Sequence, residues 1–472
     1  MPESGTSRGG APSGPELLLP LDRTAAAPLR TQLEAGLRDA VADGRLPAGG
    51  ALPSSRAMAR DLGVSRRLVV EAYAQLTAEG MLVARPGAGT RVADVQAPGA
   101  RVAPPPAATD RSAVGGRHDL RYDLFPGHPD LGAFPRSAWL AALRDVLREV
   151  PDRRLGYPDP TGAPELRAAL VAYLARARGV VATPDRVVVL SGAAQGLALL
   201  ARALARTGRR ELVVEDPSLP AHRELLAHAG ARLRPVAVDA EGLRVAELPP
   251  GGTCLLTPAH QMPTGVALSQ ERRTALARWA HDGGLVIEDD YDAEFRYDRA
   301  PLAAVQRLAP DRTAYLGSAS KSLAPGLRLG WLVLPDALLE AVRVEKAHDD
   351  MGTDVLSQLT LARMLERGTY DRHLRALRRR HRERRDAVVA ALHRHLPGAR
   401  PLGVAAGLHL TLELPHAVDP AALEAACAAR EVAVYGVRDR AFVLGYASLT
   451  PSALDEAIRR LTDALASPGV RR

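Results

Sequence analysis

A chain of 472 residues is too long for one ordinary hydrophobic core, so two or three domains are expected. With 46% apolar and 25% charged residues and no stretch long enough to be an apolar membrane span, the chain fits a water-soluble globular protein, and a net charge of +8 only hints at an anionic partner. Two distant cysteines, Cys254 and Cys427, argue against a disulfide framework or a zinc cluster and point to a reducing cytoplasm.

Residues 1–19 are rich in Gly, Pro and Ser and are expected to be disordered; their apolar patch is too short for a signal peptide. From 20 to 93, helical periodicity alternates with short turns. Leu29, Leu33, Leu37 and Val41 recur on one face of a first helix. Ser54 or Ser55 can cap a second helix that turns Met58 and Leu62 inward, and Ser65 can cap a third, SRRLVVEAYAQLTAEG. Two short helices joined by the tight turn LGVS make a helix-turn-helix. The second would lie in the major groove, with Ser65, Arg66 and Arg67 nearest the bases and phosphates. MLVARPGAGTRVA then reads as a hairpin wing turning at Gly87 to Gly89, flanked by Arg85 and Arg91.

Residues 94–118 lack periodicity and hold a triple proline, which reads as a linker. A flexible coil of that length spans roughly 25–30 Å. From 119 to 472, helices alternate with short β-branched runs (VVVL, ELVVEDP, TCLLTP, GLVIEDD, TAYLGS), which predicts an α/β domain with a mostly parallel, doubly wound sheet. After about 366 a long basic helix, short strands and a last helix predict a smaller α+β subdomain. The basic run is read as that helix's solvated face rather than as a DNA contact.

Three segments of this region carry chemistry. Of 62 basic residues only Lys321 and Lys346 are lysines, and arginine cannot condense with an aldehyde as a primary amine does. Lys321 follows an apolar strand in YLGSASKSLAPGLRLGW, where Ser318, Ser320 and Arg328 can hold a phosphate. In GLVIEDDYDAEF a buried strand ends in acids. Asp289 can keep a pyridine nitrogen protonated, and Tyr291 can hydrogen-bond a ring oxygen. A divalent-metal reading of EDD ranks below, for want of further ligands at suitable spacing. In VVVLSGAAQGLALLARAL a strand runs into a helix whose first amides, at Ala193 and Ala194, can meet a phosphate.

The segments LPSSR, LGVS, AYAQLTAEG and GAGT resemble the GntR-type winged helix, which implies DNA contacts from Arg56, Arg66 and the wing glycines, Gly87 and Gly89. The three chemical segments, with LGYPDPTGAPELR, EDPSLPAH and TPAHQMPTG, resemble fold-type I, class I aminotransferases. The fusion of the two resembles the MocR/GabR family of transcription regulators over nearly the whole chain. That resemblance implies pyridoxal 5'-phosphate (PLP) on Lys321 and a head-to-tail homodimer in which Tyr157 reaches the neighbouring subunit's cofactor phosphate.

Three positions depart from the aminotransferase pattern. Leu219 stands where an aromatic residue usually stacks on the cofactor ring. Met262 replaces an Asn that supports the ring oxygen, so His260 or Gln261 is expected to take over. Val443 stands where an Arg usually grips the substrate α-carboxylate, with Arg438 and Arg440 out of register. Either another Arg substitutes, or the effector is not an α-amino acid. In the second case PLP itself can be the signal, as in family members that control vitamin B6 synthesis. The expected function is therefore a regulator that binds operator DNA and senses PLP or a PLP adduct of an amine or amino acid. The alternatives are a working aminotransferase with an accessory N-terminal domain, and a regulator with a vestigial cofactor site.

Overall fold

The computed structural model describes residues 19–85, 89–94, 120–298 and 302–470, which fall into two compact units, 19–94 and 120–470. The expected linker lies outside the described residues from 95 to 118.

In the first unit, helix α1 (Leu29–Ala42) buries Leu33, Leu37 and Ala40, with Val41 only partly covered. Helix α2 (Ser55–Leu62) begins where Ser54 Oγ accepts the Ala57 amide at 3.2 Å, and stops at Gly63, whose φ of 62° suits glycine. Helix α3 (Arg66–Ala78) begins where Ser65 Oγ accepts the Leu68 amide at 3.2 Å. Strands β1 (Leu82–Arg85) and β2 (Gly89–Val92) pair antiparallel, Leu82 opposite Val92 and Arg85 opposite Gly89. The predicted wing is thus a hairpin, and its tip with Gly87 lies outside the described residues. Leu19, the last residue of the expected disordered tail, is buried in this unit's core against α1.

The second unit opens with β3 (Tyr122–Asp123), α4 (Arg136–Glu149) and α5 (Pro164–Arg178). Then come β4 (Val187–Leu190), α6 (Ala193–Arg206), β5 (Glu211–Asp216), α7 (Pro220–His228), β6 (Arg232–Asp239), β7 (Gly242–Leu243), β8 (Thr253–Leu256) and α8 (Gln270–His281). Next are β9 (Leu285–Asp289), β10 (Thr313–Ser318), β11 (Gly330–Val333), α9 (Asp336–Asp350) and α10 (Val355–Glu366). Eight strands form one sheet in the order β4-β11-β10-β9-β8-β5-β6-β7. Neighbours from β10 through β6 are parallel, whereas β11 runs against both β10 and β4. Strands β4, β8, β9 and β10 are buried at every residue, as expected of strands covered on both faces.

The last stretch holds α11 (Thr369–His395), β12 (Arg400–Leu402), β13 (His409–Glu413), α12 (Pro420–Ala428), β14 (Val432–Ala433), β15 (Tyr435–Arg438), β16 (Ala441–Gly445) and α13 (Pro451–Leu465). Here β12, β13, β16 and β15 make an antiparallel sheet, and β14 pairs in parallel with β3. The smaller layer therefore takes residues from the start of the unit as well as from beyond 366. Helix α11 does more than face solvent. It buries Leu374, Leu377, His381, Arg384 and Val388, and its Arg380 and Arg384 both reach Asp130 at about 3 Å.

Candidate functional site

Parallel strands deliver their C-terminal ends to one edge of a sheet, and that edge is where α/β folds build sites. The ends of β8, β9 and β10, with the start of α6, line a cavity of about 750 Å³. Lys321, three residues beyond β10, points into it and donates from Nζ to the Gly127 carbonyl at 2.6 Å. Gly127 has a φ of +83°, and a Cβ there would stand 3.2 Å from that amine, so the small residue leaves the amine its place. Asp289 ends β9, in register with Leu316 of β10, and Tyr291 follows it into the same wall.

A second wall is made for an anion. Gly192, at φ +96°, turns β4 into α6, and Ala193 and Ala194 line the cavity at that helix's N-terminus. Arg328, itself at φ 49°, donates from Nη2 to the Ser191 carbonyl at 2.8 Å, and Ser318 and Ser320 lie beside it. A Cβ on Gly192 would come within 2.6 Å of that guanidinium. Leu219 lines the cavity, as does Ser218, whose buried Oγ makes no hydrogen bond among the described residues.

Two predicted residues lie elsewhere. His260 is buried behind Tyr291 rather than in the cavity wall. The Tyr291 hydroxyl donates to the His260 carbonyl at 3.0 Å, and His260 Nδ1 is 2.9 Å from Asp292 Oδ2. Neither His260 nor Gln261, which is spent on Glu215, Pro217 and Met262, fills the place of the missing Asn; Met262 itself lines the cavity. Tyr157 is 90% exposed and away from this chain's own cavity. His260, Asp292 and His409 come together with ligand atoms within 4.8 Å of one another, a grouping that the sequence spacing did not disclose.

Burial sets the electrostatics. It pushes the Asp289 carboxyl up to about 7, helped by the neighbouring Asp290 and Asp292, while Lys321 pulls it back. Burial also lowers the Lys321 amine, which Asp292 and Asp289 oppose. His222, on the first turn of α7, lies 3.9 Å from Asp289 Oδ2 and is held down at about 4 by burial and by Lys321. It is thus a neutral partner for Asp289. Its segment, EDPSLPAH, gave no sign of that role beyond a histidine one helical turn past Leu219. The Gly127 carbonyl left no signal, because any residue supplies one.

In the first unit, Arg56, Arg66, Arg67, Arg85, Gly89 and Arg91 are all exposed, as is Ser65. Arg66 Nε lies 3.4 Å from Ser55 Oγ, which brings the first turns of α2 and α3 together. Arg67 bends back to Glu71 at 2.7 Å, an exposed pair that costs little to break. Arg91 donates to the Gly49 carbonyl at 2.9 Å and braces the hairpin's base.

Residues 29–92 match the family of bacterial regulatory proteins named gntR, and residues 128–461 match the aminotransferase class I and II family. The probable rhizopine catabolism regulatory protein MocR of Rhizobium meliloti is 33% identical, covering 95% of this chain and 96% of that one. The pyridoxine biosynthesis transcriptional regulator PdxR of Corynebacterium glutamicum is 35% identical over 81% of this chain and 82% of its own. Among solved structures, the kynurenine aminotransferase of Pyrococcus horikoshii superposes with a TM-score of 0.67 at 25% identity, over 74% of this chain and 91% of that one. The chain belongs to the MocR family of transcription regulators.

As a MocR-type regulator it binds DNA through the first unit, and its second unit is an aminotransferase-like fold whose cofactor is PLP. The residues present fit that group. Lys321 would offer the amine, Asp289 a carboxylate for the ring nitrogen, and Arg328 with the α6 N-terminus a cradle for the phosphate. Ser218 Oγ is a further polar group without a hydrogen-bond partner among the described residues. When bound there, PLP supplies an aldehyde that pairs covalently with an amine. The position of the carboxylate clamp of aminotransferases is held by Val443, which is buried in β16, and neither Arg438 nor Arg440, at the β15–β16 turn, lines the cavity, whereas Arg121 and Arg223 do. Arg384, buried in α11, is spent on Asp130 and on the Ala447 carbonyl.

Proposed function

We propose that this regulator sets its occupancy of operator DNA by what is joined to Lys321, and that the signal is PLP itself or an amine without an α-carboxylate. A cavity that keeps Lys321, Asp289, Tyr291 and Arg328 beside an apolar Val443 carries this reading. It holds the groups that grip the cofactor and has no arginine at the position that usually orients an amino acid. One relative is named for pyridoxine biosynthesis, which agrees with the cofactor as signal. Arg56, Ser65, Arg66, Arg67, Arg85, Arg91 and the wing glycines Gly87 and Gly89 would face the DNA. The protein would act in the cytoplasm as a homodimer, in which the exposed Tyr157 meets the neighbouring subunit's cofactor.

The test is a gel shift on the chain's own upstream DNA with and without PLP, alongside visible spectra of the PLP-loaded protein titrated with amino acids. Operator binding that changes with PLP, and spectra unmoved by common α-amino acids, are the expected results. Binding indifferent to PLP would point to a vestigial site. A clean spectral change with an α-amino acid, followed by oxo-acid release, would favour a working aminotransferase.

A further inference from the structure

Arginine has displaced lysine at 60 of the 62 basic positions, and one of the two exceptions is the cofactor amine. The other, Lys346, lies in α9, and its side chain is wholly buried. Its ammonium donates to both oxygens of Asp350, at 2.5 and 2.6 Å, and to Thr353 Oγ1 at 3.0 Å. All three of its protons are thereby used.

Asp350 connects this lysine to the anion wall of the cavity. The Oδ2 that Lys346 holds also accepts from Gln195 Nε2 at 2.9 Å and from Ser191 Oγ at 3.3 Å. Gln195 Oε1 in turn accepts the Ser191 amide at 2.7 Å, and the Ser191 carbonyl accepts from Arg328. Ser191 is the residue before Gly192, where the chain turns into the α6 N-terminus. Lys346 thus grips the back of the turn whose front presents Gly192, Ala193 and Arg328 to the cavity. On its other side, Thr353 accepts at its carbonyl from Gln358 Nε2 at 2.8 Å, and Gln358 Oε1 accepts the Ala163 amide at 2.6 Å. The loop after Tyr157 is braced to the same point.

A carboxylate behind an anion cradle needs a reason. Left alone, Asp350 would repel a phosphate and weaken the field of Arg328 and the helix end. We propose that Lys346 is a positioning residue for the cofactor phosphate. It fixes Asp350 so that Ser191 and Gln195 hold the cradle in shape, and it cancels the charge that Asp350 brings there. The idea rests on phosphate lying at the α6 N-terminus and is independent of which effector the regulator senses.

The test compares PLP with pyridoxal, which has the same aldehyde and ring and no phosphate. Binding to the full-length protein is followed by visible absorbance. Lys346→Met exposes the uncompensated carboxylate and is expected to weaken PLP on the order of tenfold, with pyridoxal unchanged. Asp350→Asn keeps a hydrogen-bonding group on Ser191 and leaves the ammonium with only the more distant charge of Asp349, whose Oδ2 accepts from Gln195 Nε2 at 2.7 Å, so PLP should tighten by a similar factor. The double variant should regain what Lys346→Met lost to charge and stay below the starting affinity by what the lost brace contributes. Equal effects on both aldehydes would reduce Lys346 to a support of the fold and overturn the idea. An unchanged PLP affinity in either single variant would overturn it too. If Lys346→Met does not fold, the tightening in Asp350→Asn still decides. Failure of the unaltered protein to prefer PLP over pyridoxal would instead sink the cofactor site itself.

Discussion

Asp289 sits in the fold with a carboxyl that prefers its proton, and three other buried acids, Glu215, Glu288 and Glu294, share that preference near pH 7. In the unfolded chain these groups ionise around pH 4. Between those limits these four acids bind more protons in the folded state than in the unfolded one, so their share of the stability falls as pH rises from about 4 to about 7 and then levels off. Buried histidines work in the opposite sense over the same range, because burial holds His222 down at about 4 and lowers His373, His381 and His409 as well, against about 6.5 in the unfolded chain. The share of Asp289 is isolated by comparison: measured against the parent, cofactor-free Asp289→Asn is expected to gain thermal stability from pH 5 to pH 7.5. Thermal melts across this range check it, and a variant whose slope matches the parent would show that Asp289 takes no part. PLP should shrink the Asp289 share, because a protonated ring nitrogen favours the ionised carboxyl. At this scale the sequence was informative where chemistry restricts residue choice. A lone lysine after a strand and an Asp at a strand's end can be read directly. His222 and the Gly127 carbonyl could not, since one is a common surface residue and the other belongs to any backbone. His260 was misplaced because its neighbour in sequence, Met262, faces the cavity while His260 turns to Asp292.

Elements were legible through their periods and punctuation. Ser54, Gly63 and Ser65 mark the bounds of α2 and α3 as their capping chemistry requires, and buried β-branched runs gave the strands that carry Asp289 and Lys321. Two features escaped. The reversal of β11 is invisible locally, because a buried run reads the same in either direction. The inward face of α11 was masked by the arginines around it, and Arg384 reads as solvated until Asp130, far away in sequence, is brought to meet it. Ser65→Ala removes the cap on α3 and should cost about 1 kcal/mol of the DNA-binding unit's stability, seen in denaturant melts of the full chain. An unaltered melt would mean that the Leu68 amide finds another acceptor. Gly192→Ala asks an L-residue to hold a φ of +96° and sets a methyl against Arg328. Pyridoxal should still bind this variant, whereas PLP should bind far more weakly. Equal binding of PLP to the variant and the parent would show that phosphate does not lie on this turn.

At the scale of the whole molecule, the two-part organisation was readable because composition changes where the core must stop. Periodic segments flank a proline-rich stretch that can bury nothing. The sequence carries no comparable mark for how cofactor state reaches DNA, because that depends on how two folded units act together. A winged helix touches DNA mainly through arginines and phosphates, and these contacts do not change when an aldehyde joins Lys321 in a separate unit. In the proposed homodimer the cofactor would therefore alter affinity chiefly by changing which spacings of the two DNA-binding units are populated. DNA carrying a single half-site should bind with the same affinity and the same salt dependence with or without PLP. DNA carrying two half-sites should respond to PLP, and moving those half-sites apart by half a helical turn should weaken or invert the response. Fluorescence anisotropy on such a set of duplexes measures both. A PLP effect of equal size on one half-site and on two would place the switch inside the winged helix itself and rule out control by spacing.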